Sequence, residues 1–414
     1  MPGTPSLAVW AADKRSGLLA RESRKEYVFA YSPDADAGSQ VSLTMPVRLE
    51  SWVSRDLHPV FQMNLPEGAL LEAIRRAIAK VVGEDDLSIL RVTGGNQVGR
   101  NRFALPGDES PRIAETPESL DELLTYPDTR ELFHELVARY ALRSGISGVQ
   151  PKVLLEASER GALTSSGYIV KSWGTDYPCL AANEYFCMTA VKRAGLPTPD
   201  YFLSENGGLF IMRRFDVARE GTPIGFEDMC SLQALGTAQK YSGSYERVAK
   251  SIRDYVSGDR LMEAREQFFA ALLLSVMLRN GDAHLKNFGV LYAKPGGTVE
   301  LAPVYDVVTT TAYTINDVPA LTLAGTKKWW PRKTLERFAV AHLSLPVKKV
   351  SETFSRAAEA VMETREMIPA YISDHPEFRE IGERMMGQWE QGVRELTGSA
   401  RSSTTAATAS PSST

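Results

Sequence analysis

The residues best suited to chemistry lie in one short run, Asn280-Gly-Asp282-Ala-His284-Leu-Lys286-Asn287. Phosphoryl transfer needs a carboxylate to take the proton of the attacking hydroxyl and hard oxygen ligands for Mg²⁺ close beside it. Asp282 and Asn287 can supply both from one loop, the carboxylate orienting the hydroxyl and the amide oxygen binding metal. Alone the pair is a weak signal, because a polar turn after a buried helix carries the same residues. The next segment strengthens it. FGVLYA, KPGG and TVELAPVYD read as a β-hairpin around a glycine turn. Two strands of similar length return the chain to its start, so Asp306 is expected beside Asn287. A carboxylate and an amide suit Mg²⁺ bound to a nucleotide, since Mg²⁺ takes few protein ligands and keeps phosphates and water. The simpler alternative for Asp306 is a strand-end residue capping a turn.

Lys171 lies in the apolar run YIVKSW. A lysine there costs desolvation unless it has a partner. Glu184, early in the following helix, is the candidate partner, an arrangement used to hold a lysine on nucleotide phosphates. The alternative is an exposed lysine with Tyr168 and Val170 as the buried set. The segment SGISGVQPK, Ser144 to Lys152, carries two glycines and two serines before a strand. It could bring backbone N–H groups to phosphate, or be a plain turn. His284 is expected to bridge loop backbone groups. The remaining histidines, His58, His134, His342 and His375, are scattered and support no metal site. Cys179, Cys187 and Cys230 have neither disulfide-scaffold nor zinc-ligand spacing, which points to a reducing compartment and core positions.

The elements that must position these groups follow from patterning. Residues 6–48 alternate apolar runs (SLAVW, GLLA, EYVFAYS, VSLTMPV) with turn residues and predict a small antiparallel sheet. Helices are predicted over Glu67 to Val82, with Leu70, Leu71, Ile74, Ile78 and Val81 at helical spacing, and over Ser119 to Leu124 and Asp128 to Leu142. PGDESPRIAETP is a surface connection. Strands GVQPKVLLEAS and YIVKSW flank the turn ERGALTSSG. A helix over Ala181 to Ala194 ends at Gly195 and Pro197, and strand Leu209 to Asp216 follows. Phe226 to Asn280 reads as helical, 288–306 as strands, and the rest as mostly helical to about Leu396. The tail GSARSSTTAATASPSST is too poor in bulky apolar residues to offset its ordering entropy and is expected to be disordered. A net charge of −4 gives no global nucleic-acid signal. No signal peptide is evident, and Phe268 to Leu278 is too short to span a bilayer, so a cytoplasmic protein without membrane contact is expected.

Taken in order, ISGVQPK, YIVKSW, NEYFCMTAVKRAGLPTPD, RRFD, EDMCSLQALG, NGDAHLKNFGV and APVYD resemble the HipA-type serine/threonine kinases, toxins of bacterial toxin–antitoxin modules. FQMNLPEG and the sheet before it look like that family's amino-terminal domain. The resemblance implies an α+β, protein-kinase-like bilobal fold, with a β-rich N-lobe and a helical C-lobe, preceded by a small α/β domain. Its divisions would be an N-terminal subdomain at 1–110, an N-lobe with preceding helices at 111–215, a helical C-lobe at 216–397 and the tail at 398–414. The cofactors it implies are ATP and Mg²⁺. By matching position, Asp282 is the catalytic base and Asn287 and Asp306 ligate Mg²⁺. Lys171, paired with Glu184, contacts ATP phosphates, and the loop Ser147, Gly148, Val149, Gln150 to Lys152 covers them. Met212, Arg213 and Phe215 belong to the adenine hinge, and His284 and Lys286 complete the nucleotide site. EDMCSLQALG resembles the activation segment. The usual regulatory serine position holds Gly145, leaving Ser147 as the autophosphorylation candidate and Ser144 as a displaced one. Arg213 stands where the family hinge can be acidic, which would alter adenine contacts. The resemblance further implies a protein substrate, with aminoacyl-tRNA synthetases the known type, and a small helix-turn-helix antitoxin through which DNA would be reached. A catalytically silent corepressor and a lipid or small-molecule kinase are the competing readings.

Overall fold

The computed structural model describes residues 5–23, 26–78, 85–108, 116–148, 150–159, 165–173, 176–218 and 220–398. Val149, most of the connection after Pro106, the centre of the turn after Ser158, the predicted helix end at Val82 and the tail beyond Gly398 lie outside the described residues.

The first sheet contains β1 (Ser6–Ala11), β2 (Lys14–Ser23), β3 (Glu26–Tyr31), β4 (Trp52–Ser54) and β5 (Asn101–Ala104), ordered β4-β3-β2-β1-β5 and antiparallel throughout. Leu7, Val9, Leu19, Phe29 and Phe103 bury one face against Val60 and Phe61 of α1 (Pro59–Gln62) and Leu87 and Leu90 of α3 (Asp86–Thr93). Between these helices lies α2 (Gly68–Ile78). Helix α3 is absent from the sequence reading, although Asp85 caps it by accepting from Leu87 N and Ser88 N. VSLTMPV is not a strand as expected. It makes only an isolated Ser42–Met45 bridge, because Leu43 N–H donates to the Glu227 carboxylate and Pro46 has no N–H to give.

The second sheet contains β6 (Glu118–Ser119), β7 (Lys152–Ser158), β8 (Ser166–Lys171), β9 (Tyr201–Leu203) and β10 (Phe210–Arg213), ordered β6-β7-β8-β10-β9. Val153, Leu155, Tyr168, Val170 and Ile211 pack on α4 (Leu120–Thr125) and α5 (Thr129–Tyr140). Leu154, Ile169, Phe210 and Met212 pack toward α6 (Leu180–Arg193). Both faces are covered, so the strands read as continuous apolar runs. Lys152 and Lys171 are register partners on the α6 side. Lys171 therefore has no exposed face to occupy.

The third region departs from expectation at its start. Gly225–Asp228 is strand β11, paired with β12 (Gly289–Tyr292), which pairs with β13 (Val299–Leu301). Helices α7 (Met229–Leu232), α8 (Tyr245–Tyr255), α9 (Leu261–Met277), α10 (Arg332–Leu343), α11 (Val347–Arg365), α12 (Ile368–Asp374) and α13 (Arg379–Thr397) complete the lobe. Phe268 to Leu278 is buried on every side because α8, α10, α11 and α13 surround α9. Residues 307–331, expected to be helical, are almost entirely irregular and line the cleft instead. Among the described residues no helix is long and apolar enough to cross a membrane.

Candidate active site

A cleft of about 870 Å³ lies between the second sheet and the helical region. Its floor is the loop after α9. Hydrogen bonds fix each turn of that loop. Asn280 Oδ1 accepts Asp282 N–H (3.0 Å), Tyr245 Oη donates to Ala283 O (3.0 Å), Tyr305 Oη to Lys286 O (2.6 Å), and Gly281 N–H to Thr310 Oγ1 (2.8 Å). A side chain at Gly281 would meet the Asp317 carboxylate and Thr310 Oγ1, which would have to shift to admit it.

Asn287 and Asp306 meet, and Asp282 lines the same cleft. Asp306 follows the β12–β13 hairpin, and Asn287 Nδ2 donates to its Oδ2 at 2.9 Å. The other carboxylate oxygen takes Lys171 Nζ at 2.6 Å, and the same ammonium reaches Glu184 Oε1 at 2.6 Å. Asp306 holds this position with a left-handed backbone, φ 61°, which costs a non-glycine residue conformational energy and is typical of sites where geometry is imposed. Burial works to raise its pKa, but Lys171 and Lys152 outweigh burial and hold the carboxyl well below the usual carboxylate range. Burial also works against the Lys171 charge, yet Asp306 and Glu184 keep it protonated above the ordinary lysine value. Burial pushes Glu184 upward against the pull of Lys171.

Asp282 faces the same cleft and is half-buried. Burial raises its carboxyl to about 6, opposed by a hydrogen bond from Tyr241 Oη to Oδ1 (2.8 Å) and aided by the nearby Asp306 charge. His284 donates its backbone N–H to Asn287 Oδ1 (2.9 Å) and packs its ring edge-on against Tyr241. Burial pulls the imidazole down to about 4, so it is neutral at physiological pH.

Ser147, Gly148, Gln150 and Lys152 line the cleft opposite this floor. Gly148 has φ 120°, and a Cβ there would overlap Lys152 Nζ. Met212 and Phe215 line the inner wall, and Phe215 leans on Tyr305 at 5.2 Å. Three residues sit differently from expectation. Arg213 is on the opposite face of β10 from Met212, where it bonds Ser166 Oγ (2.7 Å) and faces Asp200, so its side chain does not reach adenine space. Ser144 is fully buried, donating to Tyr140 O and accepting Leu154 N–H, and is closed to modification. Lys286 lines the cleft as expected, but directs its ammonium to Met63 O (2.7 Å), with Asp228 at 3.8 Å and Glu67 at 4.0 Å, instead of to the Lys171 side. Segment EDMCSLQALG is a buried strand and helix, with Glu227 accepting from Ser42, Leu43 and Tyr292. Tyr241, Lys240 and Glu67 escaped the sequence reading. No periodicity marks them, and only their proximity in the folded chain does.

Residues 7–104 match the HipA N-terminal domain, and residues 144–365 match the HipA-like C-terminal domain, more than half the chain. The chain belongs to the HipA family. Y4mE of Sinorhizobium fredii, whose name marks it as a candidate kinase, is 30% identical over 339 residues, 74% of this chain and 78% of the relative. A candidate kinase of Haemophilus influenzae is 30% identical over 206 residues, 45% of this chain and 59% of its own. The HipA of a Shewanella oneidensis complex of HipA, HipB and operator DNA superposes with a TM-score of 0.64 at 18% identity, covering 95% of this chain and 97% of that one. The HipA fold therefore accounts for both the amino-terminal sheet and the two lobes around the cleft.

Proposed function

We propose that this HipA-family chain transfers the γ-phosphoryl group of ATP to a serine or threonine hydroxyl of a protein. The observation that carries the proposal is the placement of Lys171 between Glu184 and Asp306, with Asn287 on the far side of Asp306 and Asp282 facing the same cleft. An ammonium held by two carboxylates is positioned charge for phosphate, and a half-buried carboxylate on the same floor can take a proton.

In this reading Asp282 accepts the hydroxyl proton as the acceptor oxygen bonds to the γ-phosphorus, and ADP leaves. Asn287 and Asp306 fit a hard divalent cation. Asp306 stays ionised, and the Asn287 amide oxygen has a second lone pair beyond the one used by His284 N–H. The ion supplies charge neutralisation among the phosphate oxygens. Lys171 and Lys152 face the phosphates, Ser147 to Lys152 close over them, and Met212 to Phe215 offer backbone and apolar surface to adenine. Among the described residues no cluster of three or more His, Cys, Asp or Glu side chains forms a metal cage. An ion shared with phosphates does not require one. Ser147, at the cleft surface, is the autophosphorylation site in this scheme. The proposed partner is a small DNA-binding antitoxin, as in the Shewanella complex, with DNA reached only through it.

The test is incubation with γ-labelled ATP and Mg²⁺ in lysate, followed by identification of the labelled proteins and residues. Wild type should label protein serine or threonine, while Asp282→Asn and Asp306→Asn should lose at least a hundredfold with folding intact. Full activity in either variant would remove the assignment. Label appearing only in metabolites would make the chain a small-molecule kinase.

A further inference from the structure

The motif FQMNLPEG belongs to the amino-terminal domain, yet its side of that domain faces the catalytic loop. Glu67 Oε2 is 2.7 Å from Lys240 Nζ, and Met63 O takes Lys286 Nζ at 2.7 Å. Gln62 Oε1 accepts Thr237 N–H at 3.2 Å, and its carbonyl accepts Thr237 Oγ1 at 3.3 Å. The contacted segment, Thr237 to Tyr241, is the one that braces the proposed base. Lys240 O accepts Leu285 N–H at 3.1 Å, and Tyr241 Oη donates to Asp282 Oδ1 at 2.8 Å. Lys240 is almost fully buried, and a buried ammonium without a counter-charge does not keep its place. Its carboxylate partner comes from a different domain.

We propose that Glu67 is a positioning residue for catalysis. By holding Lys240 it fixes the Tyr241 hydroxyl on Asp282 Oδ1, which leaves Oδ2 for the acceptor hydroxyl. The amino-terminal domain is then part of the phosphotransfer machinery and not only a platform for other proteins. This rests on the reading of Asp282 as the base.

The experiment has two arms. In the first, 3-fluorotyrosine is placed at position 241 of the full chain and its ¹⁹F resonance is recorded. Asp282→Asn marks the resonance of the disturbed hydrogen bond, and Glu67→Gln should move the signal toward it. If Glu67→Gln leaves the resonance at its wild-type position, the proposal is wrong whether or not the chain transfers phosphate. In the second arm, Glu67→Gln should lower kcat about tenfold while KM for ATP stays within about twofold. Adding it to Tyr241→Phe should cause little further loss, as expected for residues acting as a unit. Glu67→Lys combined with Lys240→Glu should recover part of the rate by restoring the pair. Unchanged kcat, or losses that multiply, would overturn the proposal. Should Glu67→Gln fail to fold, Lys240→Gln removes the same link from the other side. A wild type that transfers no phosphate would remove the proposed function while the ¹⁹F arm still judges the coupling.

Discussion

Asp306 combines a left-handed backbone, a half-open carboxylate and two fixed partners, Asn287 and the Lys171 ammonium at 2.6 Å. Removing Lys171 would leave Glu184 and Asp306 facing each other in a buried setting. Breaking such a pair from one side costs about 3–5 kcal/mol. Lys171→Met should lose that much in urea unfolding at neutral pH, and Lys171→Met with Glu184→Gln should recover a large part without recovering phosphotransfer. Equal stability of Lys171→Met and wild type would show that the carboxylates find other compensation. Asp282 behaves oppositely, because its folded-state pKa lies above the ordinary carboxylate value, at about 6. The folded chain therefore holds that proton more tightly than the unfolded chain. The contribution of this group to stability is greatest below pH 4 and falls as pH rises toward 6. A base must be ionised, so kcat/KM should rise with pH along an acid limb near 6. A profile flat from pH 5 to 8 would exclude Asp282 as the titrating base.

At the level of elements, the site depends on helix α9 delivering the catalytic loop at a fixed height. Gly392 of α13 packs directly on the last turn of α9, where an added Cβ would overlap the Met277 carbonyl oxygen, and Glu395 one turn later bonds Arg279 at 2.6 Å. Gly392→Ala should push α13 away from α9, destabilising the fold by about 1–3 kcal/mol and lowering phosphotransfer although no cleft residue is changed. A crystal structure or melt indistinguishable from wild type would show that the helices absorb the methyl. The β12–β13 hairpin that returns Asp306 to Asn287 was legible because KPGG is turn chemistry between two short runs of similar length. Strand β11 was not legible, since Gly-Phe-Glu-Asp continues into a helical pattern and becomes a strand only through pairing with Gly289–Tyr292. VSLTMPV failed in the other direction. Its composition suits a strand, but its backbone donor at Leu43 serves a carboxylate 184 residues away.

For the whole molecule, long-range links of this kind were invisible in the sequence and are what join the amino-terminal domain to the lobes. Asp282, Asn287, Lys171 and Glu184 could be found because each is a polar residue in a context that must explain it. Glu67 and Glu227 look like ordinary acidic residues until the fold buries Glu227 and half-buries Glu67 beside Lys240. Glu227 accepts from Ser42 Oγ (2.6 Å), Leu43 N (2.7 Å) and Tyr292 Oη (2.7 Å), so one carboxylate ties the amino-terminal domain to β12. Burial raises its pKa, and these three donors work against the rise. Replacing it by glutamine turns one acceptor into a donor facing donors, and a buried group left unmatched costs about 1–3 kcal/mol. Glu227→Gln should therefore destabilise the full chain by that amount and unfold both regions together in one transition. If a protease instead removed the amino-terminal sheet and left a stable, ATP-binding remainder, the two regions would be independent and the domain contact would be dispensable. The cohesive outcome is favoured by how many separate contacts cross the boundary. Besides Glu227, Arg214 bonds Asn96 Oδ1 and Gln97 O, and Asp216 accepts Gly99 N–H at 2.7 Å. Arg214 and Asp216 keep each other at 2.6 Å when the domains separate, and Glu227 keeps Tyr292, but each loses buried hydrogen bonds that only the amino-terminal domain supplies.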